Sequence, residues 1–458
     1  MNHTPPPELI HKYNRPVPRY TSYPTVPFWK NDLPENAWQA RFVNRFGEAN
    51  TTHGLSLYIH LPFCESLCTY CGCNKKITRN HEVEPVYIAA VKKEWQMYRG
   101  LMNQAPKIRS IHLGGGTPTF FSPGHLEELI SFIMEDSLVA ADHQFSVEGH
   151  PNNTTETHLS VLARLGFTRV SYGVQDNDPE VQHIINRIQP LANVAAATAH
   201  ARSNGFSSVN FDLIYGLPKQ TLQSMEKTMN QVISLRPDRI AFYSYAHVPW
   251  TSRGQRLFDQ SDLPGAEEKT ALYAKGKEVL LAGGYADIGM DHFALPSDEL
   301  FKARQEGRLH RNFMGYTDQT PGLLLGLGVS SISDSGDAFA QNHKTLHDYY
   351  EAIARERFPF AKGYLLTEED HCFRNNILDI ICKGRTGFLP SQYTNLQQYS
   401  FPALAELEQD GLVKWNDTGL SVTEAGHYFL RNICAAFDMH LQRSGQDGQT
   451  QPQFSKAI

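Results

Sequence analysis

We begin with residues 55–73, in which a strand-like segment runs directly into a cysteine cluster: Leu55-Ser56-Leu57-Tyr58-Ile59-His60-Leu61-Pro62-Phe63-Cys64-Glu65-Ser66-Leu67-Cys68-Thr69-Tyr70-Cys71-Gly72-Cys73. Cys64, Cys68 and Cys71 are separated by three and then two residues. Thiolates at this spacing can bind three irons of an iron–sulfur cube, a cluster that usually has four cysteine ligands. A cube one protein ligand short leaves one iron open, as catalytic metal sites do. The spacing therefore predicts an enzyme with a redox cluster.

Two structural uses of these cysteines remain as alternatives, a zinc knuckle and a disulfide cluster. Zinc fingers usually have a second cysteine or histidine pair a dozen or more residues later. The remaining cysteines, Cys372, Cys382 and Cys434, lie far downstream and apart from one another. Clustered thiols without a secretion signal also favour a reducing compartment over disulfides. Soft thiolate ligands at this spacing therefore favour an iron–sulfur cluster.

Length and composition indicate an ordinary globular protein. The chain has 458 residues, a hydrophobic content of 41% and a formal net charge of −6. That charge provides no general attraction to nucleic acid or anionic membranes, so we expect neither as a partner. The first residues show no signal-peptide pattern, and no apolar run approaches the length of a membrane span. We therefore expect a cytoplasmic protein, without a membrane span, that works as a monomer.

Short apolar segments alternate with helix-like segments from residue 55 onward. Six segments have strand character: Leu55–His60, Ile108–Leu113, Phe145–Glu148, Arg169–Val174, Val209–Tyr215 and Arg239–Tyr243. Between them lies one apolar helix face after a Ser122-Pro123 start signal, formed by Leu126, Leu129, Ile130, Ile133 and Met134. This alternation predicts an α/β fold with a parallel sheet, open or barrel-like.

The parity of these strands predicts where a site would lie. In Val209–Leu213, Asn210 and Asp212 share one face, and the apolar residues share the other. Ser146 and Glu148 likewise oppose Phe145 and Val147. Polar residues therefore follow or end several strands, and parallel barrels bind substrates at the carboxyl ends of their strands. We expect the cysteines and these polar groups to meet at that rim.

Three regions are predicted along the chain: an extended arm at 1–50, an α/β barrel domain at 51–364 and a C-terminal domain at 365–458. Dense prolines in the first region favour extended backbone over helix. In the third region, a helix, a hairpin near 410–423 and a further helix resemble a winged helix. This region has few basic residues where a DNA-reading helix would need them, so a structural or lid role is the better hypothesis.

A glycine run, Gly114-Gly115-Gly116-Thr117, follows the second predicted strand. Glycines allow a small polar ligand to approach the backbone closely, although many such runs are simply tight turns. Its position one strand after the cysteines favours a ligand bound at the open iron, such as the amino and carboxylate groups of an amino-acid-like cofactor.

These motifs resemble the radical S-adenosylmethionine superfamily, through the Cys-x3-Cys-x2-Cys spacing with Tyr70 and through the glycine run. The chain as a whole resembles the family of oxygen-independent coproporphyrinogen III oxidases, also called dehydrogenases. Further segments carry this resemblance: Pro18–Thr25, Cys71–Lys75, Gly173–Asp176, Asp212–Gln220, Gly289–Phe293, His310–Phe313 and Arg431–Cys434. It implies an incomplete (β/α)6-type barrel with an N-terminal arm and a C-terminal α-rich domain.

The resemblance also implies a reaction. Cys64, Cys68 and Cys71 would bind a 4Fe–4S cluster, whose open iron takes the amine and carboxylate of S-adenosylmethionine. Reductive cleavage would yield methionine and a 5′-deoxyadenosyl radical, which removes a hydrogen from the β-carbon of a propionate. Loss of carbon dioxide and of one electron leaves a vinyl group. Two such events would convert coproporphyrinogen III to protoporphyrinogen IX in haem biosynthesis.

Two S-adenosylmethionine molecules are implied by the same resemblance. Contacts to the first would come from Tyr58, Tyr70, Gly115, Glu148 and Ile332. Contacts to the second would come from Gly116, Thr117, Gln175, Arg187, Asp212 and Ala246. Glu148 can accept from the cationic amine, Arg187 can pair with a carboxylate, and Asp212 can accept from ribose hydroxyls or an amine. Taken singly, Glu148 and Asp212 could be structural caps and Arg187 a surface ion pair.

Three further features leave alternatives open. Cys73 lies too close to Cys71 to complete the same cube easily, so it is a candidate radical or electron relay or else a small buried hydrophobe. His150 stands where many superfamily members have an acidic or amide residue, and could change the pH response beside the first cofactor. Arg19, Lys219 and Arg311 are candidate partners for the substrate carboxylates, and each could equally be a structural ion pair.

The main rivals to this function are a haem-binding chaperone and an anaerobic haem-opening methyltransferase of the same superfamily. Cys73, Arg187 and the Pro18–Thr25 segment favour the oxidase. The electron donor and the electron acceptor have no recognisable signature in the sequence.

Overall fold

A computed structural model describes residues 5–319, 322–446 and 454–457, with backbone only at 445 and 446. Its helices are α1 (Pro7–Tyr13), α2 (Glu35–Thr51), α3 (Val83–Leu101), α4 (Pro123–Glu135), α5 (Glu156–Arg164), α6 (Pro179–Ile184), α7 (Leu191–Ser203), α8 (Leu222–Leu235), α9 (Ala266–Ala282), α10 (Glu299–Gln305), α11 (Leu346–Ala354), α12 (Glu368–Lys383), α13 (Tyr393–Asn395), α14 (Phe401–Gln409), α15 (Leu430–Ala435) and α16 (Met439–Gln446).

Its strands are β1 (Leu55–Leu61), β2 (Phe63–Cys64), β3 (Lys76–Ile77), β4 (Lys107–Gly115), β5 (Leu138–Gly149), β6 (Phe167–Gln175), β7 (Ser208–Tyr215), β8 (Arg239–Ser244), β9 (Ala286–Gly289), β10 (His292–Ala294), β11 (His310–Asn312), β12 (Gly315–Thr317), β13 (Leu323–Leu327), β14 (Ile332–Asp334), β15 (Ala338–Asn342), β16 (Phe360–Leu365), β17 (Arg385–Gly387), β18 (Val413–Asn416) and β19 (Gly419–Val422).

The chain forms two compact units, each assembled from separate stretches. The sheet unit comprises the described residues of Lys30–Leu213 and Pro321–Leu365. The mixed unit comprises those of Met1–Trp29, Ile214–Thr320 and Leu366–Ile458. The predicted domains are continuous in sequence instead, and their boundaries at 50 and 364 stay a prediction.

In the sheet unit, the strands lie in the order β16-β15-β14-β13-β1-β4-β5-β6-β7. Six consecutive strands of this order are parallel to one another: β13, β1, β4, β5, β6 and β7. Leu57 on β1 lies opposite both Leu325 and Ile111. Strands β14, β15 and β16 continue the sheet in antiparallel fashion. Because helices follow β4, β5 and β6 before the next parallel strand, this part has the predicted strand–helix alternation.

In this unit, the residues predicted to begin and end helices and to form the apolar face of α4 do so. Ser122 caps α4 by accepting from the His125 amide, and Pro123 takes the first helical position. Thr155 caps α5 in the same way, and Gly166 follows that helix with φ +91°. Leu126, Leu129, Ile130 and Ile133 are all buried, and together form the inward face of α4.

The mixed unit contains further strands and a hydrophobic core of its own. Strand β10 pairs with β8 and β9, all antiparallel, and β17, β19 and β18 form a three-stranded antiparallel sheet. Helices α12, α14 and α15 surround a core that includes Phe373, Ile377, Leu404, Leu407 and Ile433. The predicted hairpin is present as β18 and β19, flanked by α14 and α15.

The N-terminal region differs from the expected extended arm. Residues 14–34 contain five of the eight prolines of this region and lack α-helix, whereas α1, which begins at Pro7, precedes them in sequence and α2 follows them. Glu35–Thr51 contains no proline, and Trp38, Phe42 and Phe46 lie on one buried face at helical spacing. Burial of these aromatic side chains stabilises the helix. The extended arm was predicted from the proline content of the whole region, which does not apply to this proline-free segment.

The described helices include none that combines the length and the apolar character needed to cross a membrane.

Candidate functional site

The cysteine motif lies on a loop that is fixed to the sheet unit at both ends. Cys64 ends β2, which pairs in parallel with β3, and the Thr78 amide donates to the Cys64 carbonyl at 2.9 Å. Further along, the Thr69 amide donates to the Ile185 carbonyl at 3.0 Å, and the Cys71 amide donates to the Cys68 carbonyl at 3.2 Å. Hydrogen bonds from the loop backbone therefore hold the cysteines in place.

Hydrogen-bond donors point at two of the predicted cluster ligands. Thr117 Oγ1 donates to Cys64 Sγ at 3.3 Å, and Arg187 Nη1 donates to Cys68 Sγ at 3.5 Å. Burial is the main cause that raises the pKa of Cys64 to about 11. All seven cysteines are free, which excludes the disulfide alternative in this structure. Partly buried thiols with donors at sulfur fit the donor set of an iron–sulfur cluster, where such hydrogen bonds tune the reduction potential.

Cys73 has different surroundings from the three predicted ligands. It is exposed, whereas Cys64, Cys68 and Cys71 are half-buried. Its thiol hydrogen-bonds to Cys71, which lowers the pKa of Cys71 and raises the pKa of Cys73. Lys75 Nζ donates to the Cys71 carbonyl at 3.0 Å and adds positive charge beside it. An exposed thiol next to a ligand fits the relay hypothesis better than the buried-hydrophobe alternative.

The glycine run packs directly against the cysteine loop. The Gly116 amide donates to the Leu61 carbonyl at 2.9 Å, and the Thr117 amide to the Phe63 carbonyl at 3.0 Å. A Cβ on Gly116 would lie 2.5 Å from the Pro62 carbonyl oxygen. Gly115 has φ +119°, and a Cβ there would lie 2.9 Å from the His60 ring. The glycines are therefore required for packing of the loop as well as for any approach of a ligand.

Glu148 projects from β5 and receives two hydrogen bonds. His112 Nε2 lies 3.2 Å from Oε1, and the Gly115 amide donates to Oε2 at 3.3 Å. Burial acts to raise the pKa of Glu148, but the bonds from His112 and Gly115 outweigh it, so the pKa is lowered. The side chain keeps 42% of its surface exposed. Glu148 is thus an accessible carboxylate held in its ionised form.

Two histidines that the sequence interpretation did not select complete these surroundings. His112 also contacts Ser146 Oγ through Nδ1 at 2.7 Å, and the Tyr58 ring stacks on it at 5.8 Å. His60 Nδ1 lies 3.0 Å from the Tyr58 hydroxyl. Both histidines sit in strands on the same face as their polar neighbours. The parity rule applied to Ser146 and Glu148 would have found them on β1 and β4.

Asp212 lies in a hydrogen-bonded group on β6 and β7. Ser171 Oγ donates to its Oδ2 at 3.1 Å, and Asn210 Nδ2 donates to its Oδ1 at 2.9 Å. Burial and then the negative charge of Glu148 raise the pKa of Asp212 to about 6, although both hydrogen bonds oppose the shift. Glu148 therefore lies near enough for its charge to act on Asp212.

Arg187 and Gln175 fold over the bare Cα of Gly173. Arg187 Nη2 donates to the Gly173 carbonyl at 2.5 Å, and a Cβ there would lie 2.5 Å from Gln175 Nε2. Gln175 itself has φ +66° beside a register shift between β6 and β7. Arg187 Nε is buried without a hydrogen-bond partner in the described part of the chain. That free donor fits an anionic group of a bound ligand.

The remaining predicted contacts divide between the two units. Ile332 begins β14, and its backbone packs against Gly326, the residue opposite Tyr58 in the β13–β1 pair. Tyr70 is half-buried. Burial raises the pKa of its hydroxyl, although the charge of Arg187 opposes this shift. Ala246 belongs to the mixed unit, where its carbonyl accepts from Gln255 Nε2 at 3.1 Å. Ala246 is therefore the one predicted contact outside the sheet unit.

His150 does not behave as a pH-responsive group in the neutral range. Burial and the charge of Arg187 lower the pKa of His150 to about 3. Its Nδ1 accepts from the Asn152 amide at 3.1 Å, which needs a neutral ring. His150 is therefore neutral and polar beside Glu148.

The three candidate carboxylate partners, all in the mixed unit, differ from one another. Lys219 forms an ion pair with Asp262 at 2.6 Å. Arg311 is buried over the Tyr316 ring, 4.8 Å from its centroid, and its Nε and Nη1 have no hydrogen-bond partner within the described ranges. Arg19 Nη2 donates to the Ser244 carbonyl at 2.6 Å. Only Lys219 therefore matches the structural ion-pair alternative.

Comparisons with known proteins relate the chain to one superfamily and one family. The sequence model of the Radical SAM superfamily matches residues 58–232. A curated Escherichia coli protein named oxygen-independent coproporphyrinogen III oxidase is 40% identical, over 98% of this chain and 98% of its own length. A Synechocystis protein of the same name is 39% identical, over 98% and 97%. The solved structure described as "Coproporphyrinogen III oxidase (HemN) from Escherichia coli is a Radical SAM enzyme" has a TM-score of 0.87 and 38% identity, over 93% of this chain and 100% of that chain.

Proposed function

The chain belongs to the family of oxygen-independent coproporphyrinogen III oxidases, and we propose that it oxidatively decarboxylates two propionates of coproporphyrinogen III to vinyl groups, forming protoporphyrinogen IX. The observation that carries the proposal is the pairing of half-buried thiols with donors at sulfur, beside the accessible carboxylate of Glu148. Each event removes one hydrogen atom, carbon dioxide and one electron from the substrate, so an electron acceptor is needed.

Membership of the family implies a 4Fe–4S cluster and S-adenosylmethionine. Cys64, Cys68 and Cys71 would hold the cluster through their thiolates. When bound, the two cofactors supply the one-electron cleavage that produces a radical able to remove the hydrogen. Thr117 and Arg187 donate to sulfur and so stabilise negative charge on these ligands.

We assign the first S-adenosylmethionine to Tyr58, Tyr70, Gly115, Glu148 and Ile332. Glu148 can accept from the cationic methionyl amine, because His112 and the Gly115 amide keep the carboxylate ionised. We assign the second to Gly116, Thr117, Gln175, Arg187, Asp212 and Ala246. The unpartnered Nε of Arg187 supports a carboxylate contact there.

Cys73 is proposed as a catalytic residue rather than a ligand. The exposure of Cys73 and its hydrogen bond to Cys71 support this proposal. A thiol in that position can pass a hydrogen atom or a proton toward the substrate.

The test is anaerobic turnover of reconstituted protein with coproporphyrinogen III, S-adenosylmethionine, a reductant and an electron-accepting extract. We expect a product that has lost two carbon dioxide units and four hydrogens, together with 5′-deoxyadenosine and methionine. Cys68→Ser should abolish turnover and the cluster absorbance, whereas Cys372→Ser, at a half-buried cysteine outside the motif, should keep both. Cofactor cleavage without decarboxylation would reject this substrate. Haem retention without either reaction would favour the chaperone instead.

A further inference from the structure

The mixed unit contains a cavity that the assignments above do not use. Its volume is about 70 Å³. Tyr215 and Ser244, the last residues of β7 and β8, contribute to its wall, with Arg19, Asp291 and Arg431. Carboxyl ends of strands in such sheets are the usual place for ligands. Tyr215 also ends the strand that carries Asp212 three residues earlier.

Positive charge exceeds negative charge around this cavity. Arg19 and Arg431 line it, and Lys269, which precedes the lining residue Thr270 in sequence, donates to the Tyr245 carbonyl at 2.8 Å. Burial, followed by the charges of Arg19 and Arg431, lowers the pKa of Lys269 to about 7. Asp291 is the carboxylate of the lining, and burial raises its pKa even though Arg19, Arg311 and Arg431 oppose this. Burial also lowers the pKa of His427, so this lining side chain is neutral at pH 7.

The two lining arginines differ in the donors that they leave free. Arg431 donates to the backbone carbonyls of Pro18, Ser455, Lys456 and Ala457 at 3.0–3.2 Å. Arg19 makes one hydrogen bond within the part of the chain that the structure describes, to the Ser244 carbonyl. A guanidinium has five N–H donors in a planar fork. Arg19 therefore keeps donors for a ligand, while Arg431 serves the backbone.

The backbone on both sides of Arg19 is anchored. The Pro18 carbonyl accepts from Arg431 Nε at 3.1 Å, and the Tyr20 hydroxyl donates to Asp438 Oδ2 at 3.1 Å. Tyr20 is buried, so the chain leaves Arg19 little freedom to withdraw. A guanidinium held in this way loses little conformational entropy when it binds.

We propose that this cavity binds one carboxylate arm of the substrate, with the Arg19 guanidinium as the partner of the carboxylate. The identity of the substrate rests on the proposed function. A single water needs roughly 10–15 Å³ of such volume, so the cavity is large enough for a carboxylate and its methylenes and too small for a tetrapyrrole ring. Ile10 and Met290 in the lining provide apolar contact for the methylenes. The planar fork favours a carboxylate held by two hydrogen bonds.

The test measures equilibrium binding by fluorescence, with coproporphyrin III as a stable tetracarboxylate probe and its tetramethyl ester as the uncharged counterpart. Loss of a charge-assisted hydrogen bond predicts that Arg19→Met binds coproporphyrin III about 10-fold or more weakly. The ester should bind equally to the wild type and to this variant, and Arg19→Lys should have intermediate affinity for the acid. Lys227→Met removes an exposed cation from α8 of the same unit and should bind like the wild type.

A second variant addresses the cavity without changing charge. Ala457 belongs to the lining, so Ala457→Leu should fill part of the volume and weaken binding of coproporphyrin III. This variant decides the question if Arg19→Met does not fold. Equal affinity of the wild type and both variants for coproporphyrin III, or no binding by the wild type, would overturn the proposal.

Further results distinguish free acids from coproporphyrin III as the ligand of the cavity. They also distinguish failure of the cavity proposal from failure of the proposed function. Propionate that binds in an Arg19-dependent way, while affinity for coproporphyrin III does not depend on Arg19, would assign the cavity to free acids and overturn the proposal. Wild-type decarboxylation combined with Arg19-independent binding rejects the cavity and leaves the proposed function intact. Arg19-dependent binding of coproporphyrin III without decarboxylation supports the cavity and rejects the proposed reaction.

Discussion

At the residue scale, the site depends on positions where a side chain is missing as much as on those where one is present. Gly116 lies against the Pro62 backbone, and Gly173 lies under Gln175 and Arg187. Each bare Cα allows a functional segment to pack where a Cβ would collide with it. Glycine substitutions therefore test the geometry of the site without removing any functional group.

Gly116→Ala should destabilise the protein and weaken cluster binding. The added Cβ would meet the Pro62 carbonyl oxygen at 2.5 Å, and backbone cannot yield as a flexible side chain can. Overpacking of this kind costs about 1–3 kcal/mol. Gly124→Ala is the matched control, because no atom lies within 4 Å of its Cβ and the position is in α4. Thermal unfolding and iron content measure both effects. A Gly116→Ala protein with the stability and iron content of the control would contradict the packing argument.

Asp212 should make binding of the proposed second S-adenosylmethionine depend on pH. Its pKa is raised to about 6, so the carboxylate gains a proton as the pH falls through 6 and loses the negative charge that attracts an amine. The pKa of Glu148 is lowered, so the first molecule should stay bound over this range. Calorimetric stoichiometry should fall from two toward one below pH 6 in the wild type.

Asp212→Asn should bind one molecule at every pH in that titration. Asp142→Asn, at an exposed ion pair with Arg109, is the control and should follow the wild type. Two molecules bound by Asp212→Asn with wild-type affinity would remove Asp212 from the second site.

Individual site residues were predictable to different degrees. Cys64 and Glu148 were predictable because spacing and strand parity place them without tertiary information. His60 and His112 obey the same parity but were not selected, since histidine on a strand has many structural uses. The free Nε of Arg187 depends on the path of the chain around Gly173, which no local pattern encodes.

At the scale of elements, a buried carboxylate joins α3 to the antiparallel edge of the sheet unit. Glu94 on α3 accepts from the Gly328 amide, Asn342 Nδ2 and the Tyr349 hydroxyl, each at 2.7 Å. Burial raises the pKa of Glu94 to about 7 although these three bonds oppose the shift. A helix and segments more than 230 residues later in the chain are thus linked through one titratable group.

Glu94 should make the folded state less stable as the pH rises. Its pKa is about 7 in the folded state against an ordinary value of 4.5 in the unfolded chain, so the folded protein binds more protons between these values. Stability from this group should therefore fall by roughly 3 kcal/mol from pH 4.5 to pH 7. Glu94→Gln should remove this component from urea unfolding measured at pH 5 and pH 8. Glu48→Gln, 70% exposed on α2, should keep the wild-type difference. An equal pH dependence in Glu94→Gln and wild type would refute the linkage.

Helices and strands were predictable where the periodic pattern of apolar residues along them is long enough to recognise. All six predicted strands lie within observed strands, and the predicted α/β fold class is confirmed by the match to the solved structure. Leu323–Leu327 was missed, because it is buried on both faces and shows no alternation. Ile332–Asp334 has too few residues for a period, and its pairing depends on contacts distant in sequence.

At the scale of the whole molecule, segments far apart in sequence are joined by single buried side chains. In the mixed unit, Arg431 on α15 connects the N-terminal segment 15–18 to residues 454–457. Its guanidinium donates to carbonyls on both segments, including that of Val17. The two segments also pair with each other, since the Ala457 amide donates to the Arg15 carbonyl at 2.9 Å. One residue therefore holds both segments in position beside the cavity lined by Arg19.

Arg431→Lys should loosen both segments together. A lysine carries its donors on one nitrogen and cannot reach all the carbonyls that the guanidinium fork serves. Each buried carbonyl left without a partner costs about 1–3 kcal/mol. Hydrogen exchange at the amides of Val17 and Ala457 should therefore accelerate in this variant. Because Arg19 follows the loosened segment directly, affinity for coproporphyrin III should fall as well.

The control for this change is Arg443→Lys, which alters an ion pair with Glu369 on α12 and leaves the two segments untouched. Its exchange at Val17 and Ala457 should match the wild type. Unchanged exchange in Arg431→Lys would mean that strand pairing alone holds the segments. Faster exchange with unchanged affinity for coproporphyrin III would separate the anchoring role of Arg431 from ligand binding. The two measurements thus decide whether the hydrogen bonds that Arg431 donates to these two segments control the position of Arg19 for binding.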